Sequence, residues 1–120
     1  MSSISTRDES DALIINIVEP SALNDFRSNT FRDSLYEAVR KCEHKRVAFD
    51  LSRVDFLSSS GVAILVGMKR RLDQQEGKFV IFGVQPIVQD LLRITRLHQY
   101  FTFADNETEA RAALRPLPTA

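Results

Sequence analysis

Hydrophobic residues along this chain occur in short uninterrupted runs and, between those runs, in stripes that repeat every three or four positions. Runs of branched and aromatic residues, bounded by charged or turn-forming residues, predict buried strands at 12–18, 46–50 and 78–82. Residues 100–103 predict a short last strand. Residues 4–7 are compatible with an edge strand or with a frayed arm, and the sequence does not decide between the two.

The stripes between the strands are typical of amphipathic helices. They predict a helix from about residue 24 or 28 to 42, a second from 59 to about 76, a third that starts at Pro86, and a last one that ends near 114. Short strands that alternate with helices of about 10–18 residues predict a partly parallel sheet. We expect the third helix to end in some way other than a left-handed cap at Arg96, which would cost about 1–2 kcal/mol.

Three serines and a glycine separate the central strand from the second helix. Ser58 or Ser59 is suited to cap that helix, because a serine hydroxyl accepts a hydrogen bond from an amide of the first turn. Ser60 then falls within the first turn, where unpaired amides and the helix dipole favour an anion. We therefore expect the Ser60 hydroxyl to be solvent-accessible and able to carry a phosphate at modest cost to the fold.

The loop before the serines contains polar and apolar residues. Asp50 and Asp55 are expected to form turns. Val54, Phe56 and Leu57 are expected to anchor the loop on the hydrophobic core. The third helix is expected to place four apolar residues on one compact face, namely Ile87, Val88, Leu91 and Leu92.

The chain from residue 49 to residue 61 contains the pattern Phe49-Asp50-Leu51-Ser52-x-Val54-x-Phe56-Leu57-x-Ser59-Ser60-Gly61. This pattern resembles the central motif of STAS domains, and specifically that of the anti-sigma factor antagonists. The resemblance extends through residues 85–88 and 97–101 and covers roughly residues 12–114. It implies a single α/β domain with a mixed sheet of about four strands and three to four helices, mainly on one face. The domain is expected at 12–114, after an N-terminal arm or edge strand at 1–11 and before a C-terminal tail at 115–120.

In that family the serine directly before the glycine is the phosphorylation site, which is Ser60 here. The resemblance implies a partner that is both an anti-sigma factor and a serine kinase. The unphosphorylated chain would bind this partner and free a sigma factor, phosphorylation of Ser60 would end the binding, and a PP2C-type phosphatase would reset the switch. The residues expected at the partner surface are Ser58, Ser59, Ser60, Gly61, Val62, Leu65 and Val66.

Ser58 stands where many members of the family have aspartate. This difference favours an alternative, in which the chain is a STAS subunit or scaffold that binds a transporter or signalling complex without a phosphorylation cycle. A third hypothesis is a small hydrolase, but a serine nucleophile needs a base, and the nucleophile elbow needs two glycines of which only the second is present. His44 and His98 are expected to be surface or packing residues. We therefore expect no catalytic residue, no metal site and no cofactor.

Composition narrows the function classes further. Sixteen basic and sixteen acidic residues give a formal net charge of zero. Direct nucleic-acid binding is not expected, since it needs a clustered basic excess, and the weak repulsion leaves weak homodimerisation open. The single cysteine, Cys42, excludes an internal disulfide and fits a reducing compartment. No run approaches the roughly 20 apolar residues of a membrane span and no signal pattern is present, so we expect a cytoplasmic protein without membrane insertion.

Overall fold

A computed structural model describes residues 4–9, 11–17 and 28–115, with the side chains of 28–31 and 60 outside the description. The earlier of the two predicted starts of the first helix and nearly all of the predicted tail lie outside these residues. None of the helices in the described part is both long and apolar enough to cross a membrane. The elements are, in chain order, β1 (Ile4–Asp8), β2 (Leu13–Ile17), α1 (Ser28–Lys41), β3 (Arg46–Asp50), α2 (Ser59–Gln74), β4 (Lys78–Phe82), α3 (Pro86–Ile94), a 3-10 turn (Leu97–Gln99), β5 (Thr102–Ala104) and α4 (Glu107–Leu114).

The five strands form one mixed sheet whose strand order is the same as the chain order, β1-β2-β3-β4-β5. β1 runs antiparallel to β2, and each later strand runs parallel to the one before it. Residues 4–8 therefore form an edge strand, which adds one strand to the four that the sequence indicates. The loops that follow β3 and β4 leave from one end of the sheet, which we call the carboxyl end. The turn between β1 and β2 lies at the opposite end, which we call the amino end.

Alternate residues of the strands face opposite sides of the sheet, and both sides are buried. On the first face Phe49 and Ile81 pack with apolar residues of α1, α2 and α3. On the second face Ala48 and Val80 pack with apolar residues of α4. Fully burying a side chain such as Ile81 contributes about 1.5–3 kcal/mol. Three described helices thus cover the first face and one covers the second, as predicted for helices mainly on one face.

Helix α3 ends in a way that differs from the prediction. Arg96 has a φ of +64°, in the left-handed region, so the expectation that the chain avoids this conformation there is wrong. Hydrogen bonds offset the local strain. The Arg96 N–H donates to the carbonyl of Arg93 at 3.0 Å, and the Thr95 N–H donates to the carbonyl of Leu91 at 3.2 Å. The Thr95 hydroxyl lies 3.0 Å from the carbonyl oxygen of Leu92, so the last carbonyls of α3 have donors without a glycine.

Candidate partner-binding site

The loop between β3 and α2 is held tightly against the body of the domain. Leu51, Val54 and Leu57 are buried in the core of the first face. The Leu51 N–H donates to the last carbonyl of β4 at 3.1 Å, which continues the pairing of β3 and β4 by one residue. Asp50 forms a turn, since its Oδ1 accepts from the Ser52 N–H at 2.8 Å. These contacts fix the path of the loop and the place at which α2 begins.

The loop between β4 and α3 lies against this first loop. The side-chain amide of Gln85 donates to the carbonyl of Ser52 at 2.9 Å. Gly83 has a φ of +71°, and a Cβ at this position would lie 3.1 Å from the Cβ of Ser52. Glycine therefore favours both the turn and the close approach. The two loops are thus in contact, and the starts of α2 and α3 lie at the same carboxyl end of the sheet.

Helix α2 begins within the run of three serines. Ser58 is its N-cap, because its backbone is extended and its Oγ accepts from the Gly61 N–H at 3.2 Å. This observation selects Ser58 from the two caps that the sequence allows. Ser59, which is exposed, is the first helical residue, and Ser60 is the second. The Ser60 backbone thus stands in the first turn, while its side chain lies outside the described residues, so the accessibility of its hydroxyl stays a prediction.

The other residues predicted at the partner surface differ in exposure. Val62 and Val66 are half-buried, whereas Gly61 and Leu65 are buried, Leu65 completely. Leu65 therefore belongs to the core and not to the surface at which the sequence predicts it. The physical reason is that the first two turns of α2 are apolar on every side, so periodicity does not distinguish the side facing the sheet from the side facing solvent. Ala63, which is not among the predicted surface residues, is exposed.

Two large apolar side chains at this end are exposed, and sequence reasoning missed both. Phe56 is 50% exposed and Ile87 is 56% exposed. The expectation that Phe56 anchors the loop is wrong, because its apolar neighbours Val54 and Leu57 occupy the core positions. Ile87 lies at the edge of an apolar arc on α3 that is wider than the buried face. The loop and α3 each contain more apolar residues than they bury. This excess is the sequence signal that could have indicated that one apolar side chain in each is exposed.

The amino end of the sheet is closed by charged side chains. Arg111 of α4 forms ion pairs with Asp11, at 2.8 Å, and with Glu9, both in the turn between β1 and β2. Arg7 of β1 pairs with Glu107 of α4. The hydrogen bond from Arg111 is the main cause that lowers the pKa of Asp11, and the same contact raises the pKa of Arg111. These pairs fasten the β1–β2 turn to α4.

Three potential metal ligands also lie at the amino end. Asp8, Cys42 and His44 bring one ligand atom each to within 4.8 Å of one another. Both ring nitrogens of His44 already have partners, since Nδ1 accepts from the Arg46 N–H at 3.1 Å and Nε2 donates to the Glu9 carbonyl at 2.9 Å. A metal on Nε2 would move the ring proton to Nδ1, where it would face the Arg46 N–H. The cluster therefore fits a hydrogen-bonded histidine better than a metal ligand set.

Comparison with known families agrees with this architecture. A model of the STAS domain matches residues 3–110, which is most of the chain. The chain belongs to the STAS domain family. The family and the α/β class expected from the central motif are thus confirmed, while the domain limits at residues 12 and 114 stay a prediction.

Relatives of this STAS chain carry names that concern one function. The anti-sigma F factor antagonist of Paenibacillus polymyxa is 30% identical over 94 residues, which are 77% of this chain and 79% of that protein. BtrV of Bordetella bronchiseptica, whose name assigns it provisionally to the anti-sigma factor antagonists, is 27% identical over 110 residues. Those residues are 92% of this chain and 93% of BtrV.

Solved structures have the same fold. The anti-sigma factor antagonist SpoIIAA in its unphosphorylated form matches with a TM-score of 0.76 and 19% identity, over 97% of this chain and 99% of that chain. The Bacillus cell fate determinant SpoIIAA in its phosphorylated form matches with a TM-score of 0.65 and 17% identity, over 93% of this chain and 99% of that chain. At this level of identity the likeness shows the fold alone.

Proposed function

We propose that this STAS protein is an anti-sigma factor antagonist, that it binds an anti-sigma factor with the carboxyl end of its sheet, and that phosphorylation of Ser60 ends the binding. The observation that carries the proposal is the start of α2, where a serine cap and two further serines adjoin half-buried apolar residues. The relatives named as anti-sigma factor antagonists support the class of partner.

The proposed contact surface combines the serines with the apolar side chains around them. Phe56 and Ile87 are its largest exposed apolar side chains, and large apolar or aromatic anchors commonly carry much of the energy of an interface. Leu65 supports the surface from below. The residues proposed to face the partner are Phe56, Ser58, Ser59, Ser60, Val62, Val66 and Ile87, while Gly61, which is buried, links the serines to Val62.

A phosphate on Ser60 would have different consequences in the free and in the bound domain. It adds about −1.5 to −2 charges and three acceptor oxygens. In the free domain the amides and the dipole at the start of α2 favour such a group, so we expect the fold to tolerate it. In a complex the charge would have to leave water beside apolar side chains such as Val62 and Phe56, and burying an uncompensated charge costs several kcal/mol. Since about 1.4 kcal/mol is tenfold in affinity, we expect a loss of about two decades or more.

The resemblance to the anti-sigma factor antagonists implies the partners in this proposal. The anti-sigma factor is also the serine kinase and brings its own ATP site, and a PP2C-type phosphatase removes the phosphate. Binding of the unphosphorylated chain frees a sigma factor, and so controls transcription without direct contact between this chain and nucleic acid. In this proposal the chain acts in the cytoplasm and supplies a surface and a hydroxyl, without a cofactor, a metal or a membrane segment of its own.

A second candidate function follows from the identity of the cap. Ser58 caps α2 with a neutral hydroxyl. If an acidic residue at this position is needed by the kinase, the chain would act instead as a STAS subunit or scaffold of a transporter or signalling complex without a phosphorylation cycle. Phosphate analysis of the chain after incubation with the partner and ATP distinguishes the two functions.

The direct test is the affinity for the isolated anti-sigma factor, measured by calorimetry for the unmodified and the stoichiometrically phosphorylated protein, with far-UV circular dichroism of both. We expect the phosphorylated form to bind at least about a hundredfold more weakly and to keep its helix signal. Ser60→Ala should bind persistently in the presence of ATP, and Ser59→Ala, the matched control, should still be released. Equal affinities, or loss of the helix signal on phosphorylation, would remove the mechanism.

The absence of intrinsic catalysis is tested separately. His44 is held at the amino end of the sheet, and His98 lies in the 3-10 turn that precedes the parallel strand β5, at the same end, whereas the serines lie at the carboxyl end. Pure protein is therefore expected to turn over neither nucleotides nor esters. Turnover that Ser60→Ala abolishes would overturn this part of the proposal and would support the hydrolase hypothesis.

A further inference from the structure

A second surface lies between α1 and α2, away from the serines. It is a groove of about 810 Å³, and Tyr36, Gly67 and Arg71 are among its lining residues. Gly67 comes seven residues after Ser60 in the same helix. At about 1.5 Å of rise per residue, the groove therefore begins roughly 10 Å along α2 from the proposed switch.

Gly67 makes room for an aromatic side chain from the neighbouring helix. A Cβ at position 67 would lie 2.2 Å from the hydroxyl oxygen of Tyr36. Any side chain at this position would therefore displace the Tyr36 ring. The glycine, which is unfavourable within a helix by roughly 1 kcal/mol, lets Tyr36 lie across α2.

The Tyr36 ring in turn positions a guanidinium group. The central carbon of the Arg71 guanidinium lies 3.8 Å from the centre of the Tyr36 ring, which is a cation–π contact. Stacking restrains the long Arg71 side chain, while the N–H donors in the guanidinium plane stay available for a ligand. Arg71 is thus partly pre-organised for binding an anion.

The charges that line the groove are unequally compensated. Arg40 forms an ion pair with Glu37, and the hydrogen bond from Arg40 lowers the pKa of Glu37. Asp33 lies 3.5 Å from Arg32. Arg70 and Arg71 are exposed, and among the described residues neither has a carboxylate partner. The groove therefore carries two uncompensated guanidinium groups, although the chain as a whole is neutral.

We propose that the groove between α1 and α2 binds an acidic peptide segment of a partner protein. Arg71 and Arg70 would bind its carboxylates, because the guanidinium fork matches a carboxylate with two parallel hydrogen bonds. The exposed side-chain amides of Gln74 and Gln75, which also line the groove, would bind the peptide backbone. This surface lies beyond the residues of the Ser60 switch, and the inference does not depend on phosphorylation.

The test uses a fluorescein-labelled octapeptide of glutamate, with an octapeptide of glutamine as the neutral probe, and measures binding by fluorescence anisotropy at low salt. We expect saturable binding of the glutamate peptide only. Arg71→Glu should weaken it at least tenfold. Tyr36→Leu should weaken it severalfold, whereas Tyr36→Phe should retain it because the ring still supports Arg71. Arg93→Glu, which makes the same charge change on α3, is the matched control and should change the affinity less than twofold.

Each other outcome contradicts the proposal. No binding at 1 mM peptide, or an equal loss in Arg93→Glu and Arg71→Glu, would show that the groove does not recognise acidic chains. Binding of inorganic tripolyphosphate that Arg71→Glu abolishes, without binding of the peptide, would show a site for small anions instead. The Arg71→Ala variant, at an exposed position, is measured in the same way to remove the guanidinium without adding a negative charge. Circular dichroism verifies that the Tyr36 variants fold.

Discussion

The two ends of the sheet use their polar residues in different ways. At the amino end, Arg111 and Arg7 join β1, the β1–β2 turn and α4 through ion pairs between residues about a hundred positions apart. At the carboxyl end, the Asp50 carboxylate and the Ser58 hydroxyl each accept from an amide two or three residues further along the chain, and the side-chain amide of Gln85 joins the two loops. The amino end thus uses its charges to hold distant elements together, while the carboxyl end uses hydrogen bonds to shape a loop and a helix start.

The apolar side chains show the same contrast. At the carboxyl end Phe56 and Ile87 stay in contact with solvent, although the loop that carries Phe56 is anchored by buried neighbours. A rigid loop that exposes an aromatic side chain loses little conformational freedom when it binds. Adjacent residues of this loop are thus divided between burial in the core and exposure to solvent, and we propose that the exposed ones bind the partner. The following predictions test this division from the largest expected effect to the smallest.

The largest effect is expected for a loop anchor. Leu51 is completely buried, so Leu51→Ala should lower the free energy of unfolding by about 2–5 kcal/mol through lost burial and a cavity. Urea denaturation measures this change. Phe56→Ala, in the same loop, is the control and should lower the free energy by at most about half as much, because about half of its side chain already lies in solvent and its truncation leaves no enclosed cavity. Similar losses for both variants would show that Phe56 is an anchor after all.

The next effect concerns partner affinity and rests on the proposed function. Phe56→Ala and Ile87→Ala should each weaken binding to the anti-sigma factor about tenfold, because truncation of an interface anchor commonly costs more than about 1 kcal/mol. Calorimetric titration measures the dissociation constants. Ile94→Ala removes an even more exposed side chain, 78% exposed at the other end of α3, and should leave the affinity unchanged. An equal loss in Ile94→Ala would locate the partner elsewhere.

A smaller effect is expected at the amino end, where it depends on pH. The pKa of folded Asp11 lies below its ordinary value of 3.8, chiefly because of the hydrogen bond from Arg111. Between the lowered pKa and the ordinary one, the folded state therefore binds fewer protons than the unfolded state. The stabilisation from the ionised Asp11 is complete above the ordinary pKa and is lost as the pH falls through the lowered pKa. Stability measured by urea denaturation from about pH 6 to about pH 3 should fall less in Asp11→Asn than in the native protein. Equal falls in the two proteins would show that the ion pair between Arg111 and Asp11 does not contribute to stability.

The smallest effect is expected for the cap. Ser58→Asp should change the free energy of unfolding by less than about 1 kcal/mol, because aspartate caps a helix as well as serine and its charge suits the dipole. Thermal unfolding measures this change. The same variant should be phosphorylated faster at Ser60 by a cognate kinase. Equal rates for both forms would mean that an acidic residue at this position is not a recognition element.

The elements themselves were predictable because local signals determine them. The apolar runs predict β3 and β4 with their observed limits, and Pro86 marks the start of α3. The sequence narrowed the N-cap of α2 to Ser58 or Ser59, since a capping hydroxyl accepts from an amide two or three residues further along the chain. Local signals therefore sufficed for these elements and for the place of the serines, but not for β1, which the sequence left open as an edge strand or a frayed arm.

The features that the sequence did not predict have physical reasons of a different kind. The burial of Leu65 and the exposure of Phe56 depend on which side of an apolar segment meets the sheet, and that is decided by distant elements. The ion pairs of Arg111 join residues about a hundred positions apart, so no local pattern indicates them. The left-handed conformation of Arg96 depends on donors that become visible only once the end of α3 is folded.

The position of α4 has a consequence for synthesis of the protein. Because neighbouring strands follow one another along the chain, β2, β3 and β4 can pair, and α1, α2 and α3 can cover the first face, once residue 94 is available. The second face, with Ile14, Ala48 and Val80, is covered among the described helices by α4 alone. A nascent chain that has not yet released residues 107–114 from the ribosome therefore presents an apolar sheet face to its surroundings. We therefore expect this domain to be most exposed to aggregation after its first face has folded and before α4 has packed on the second.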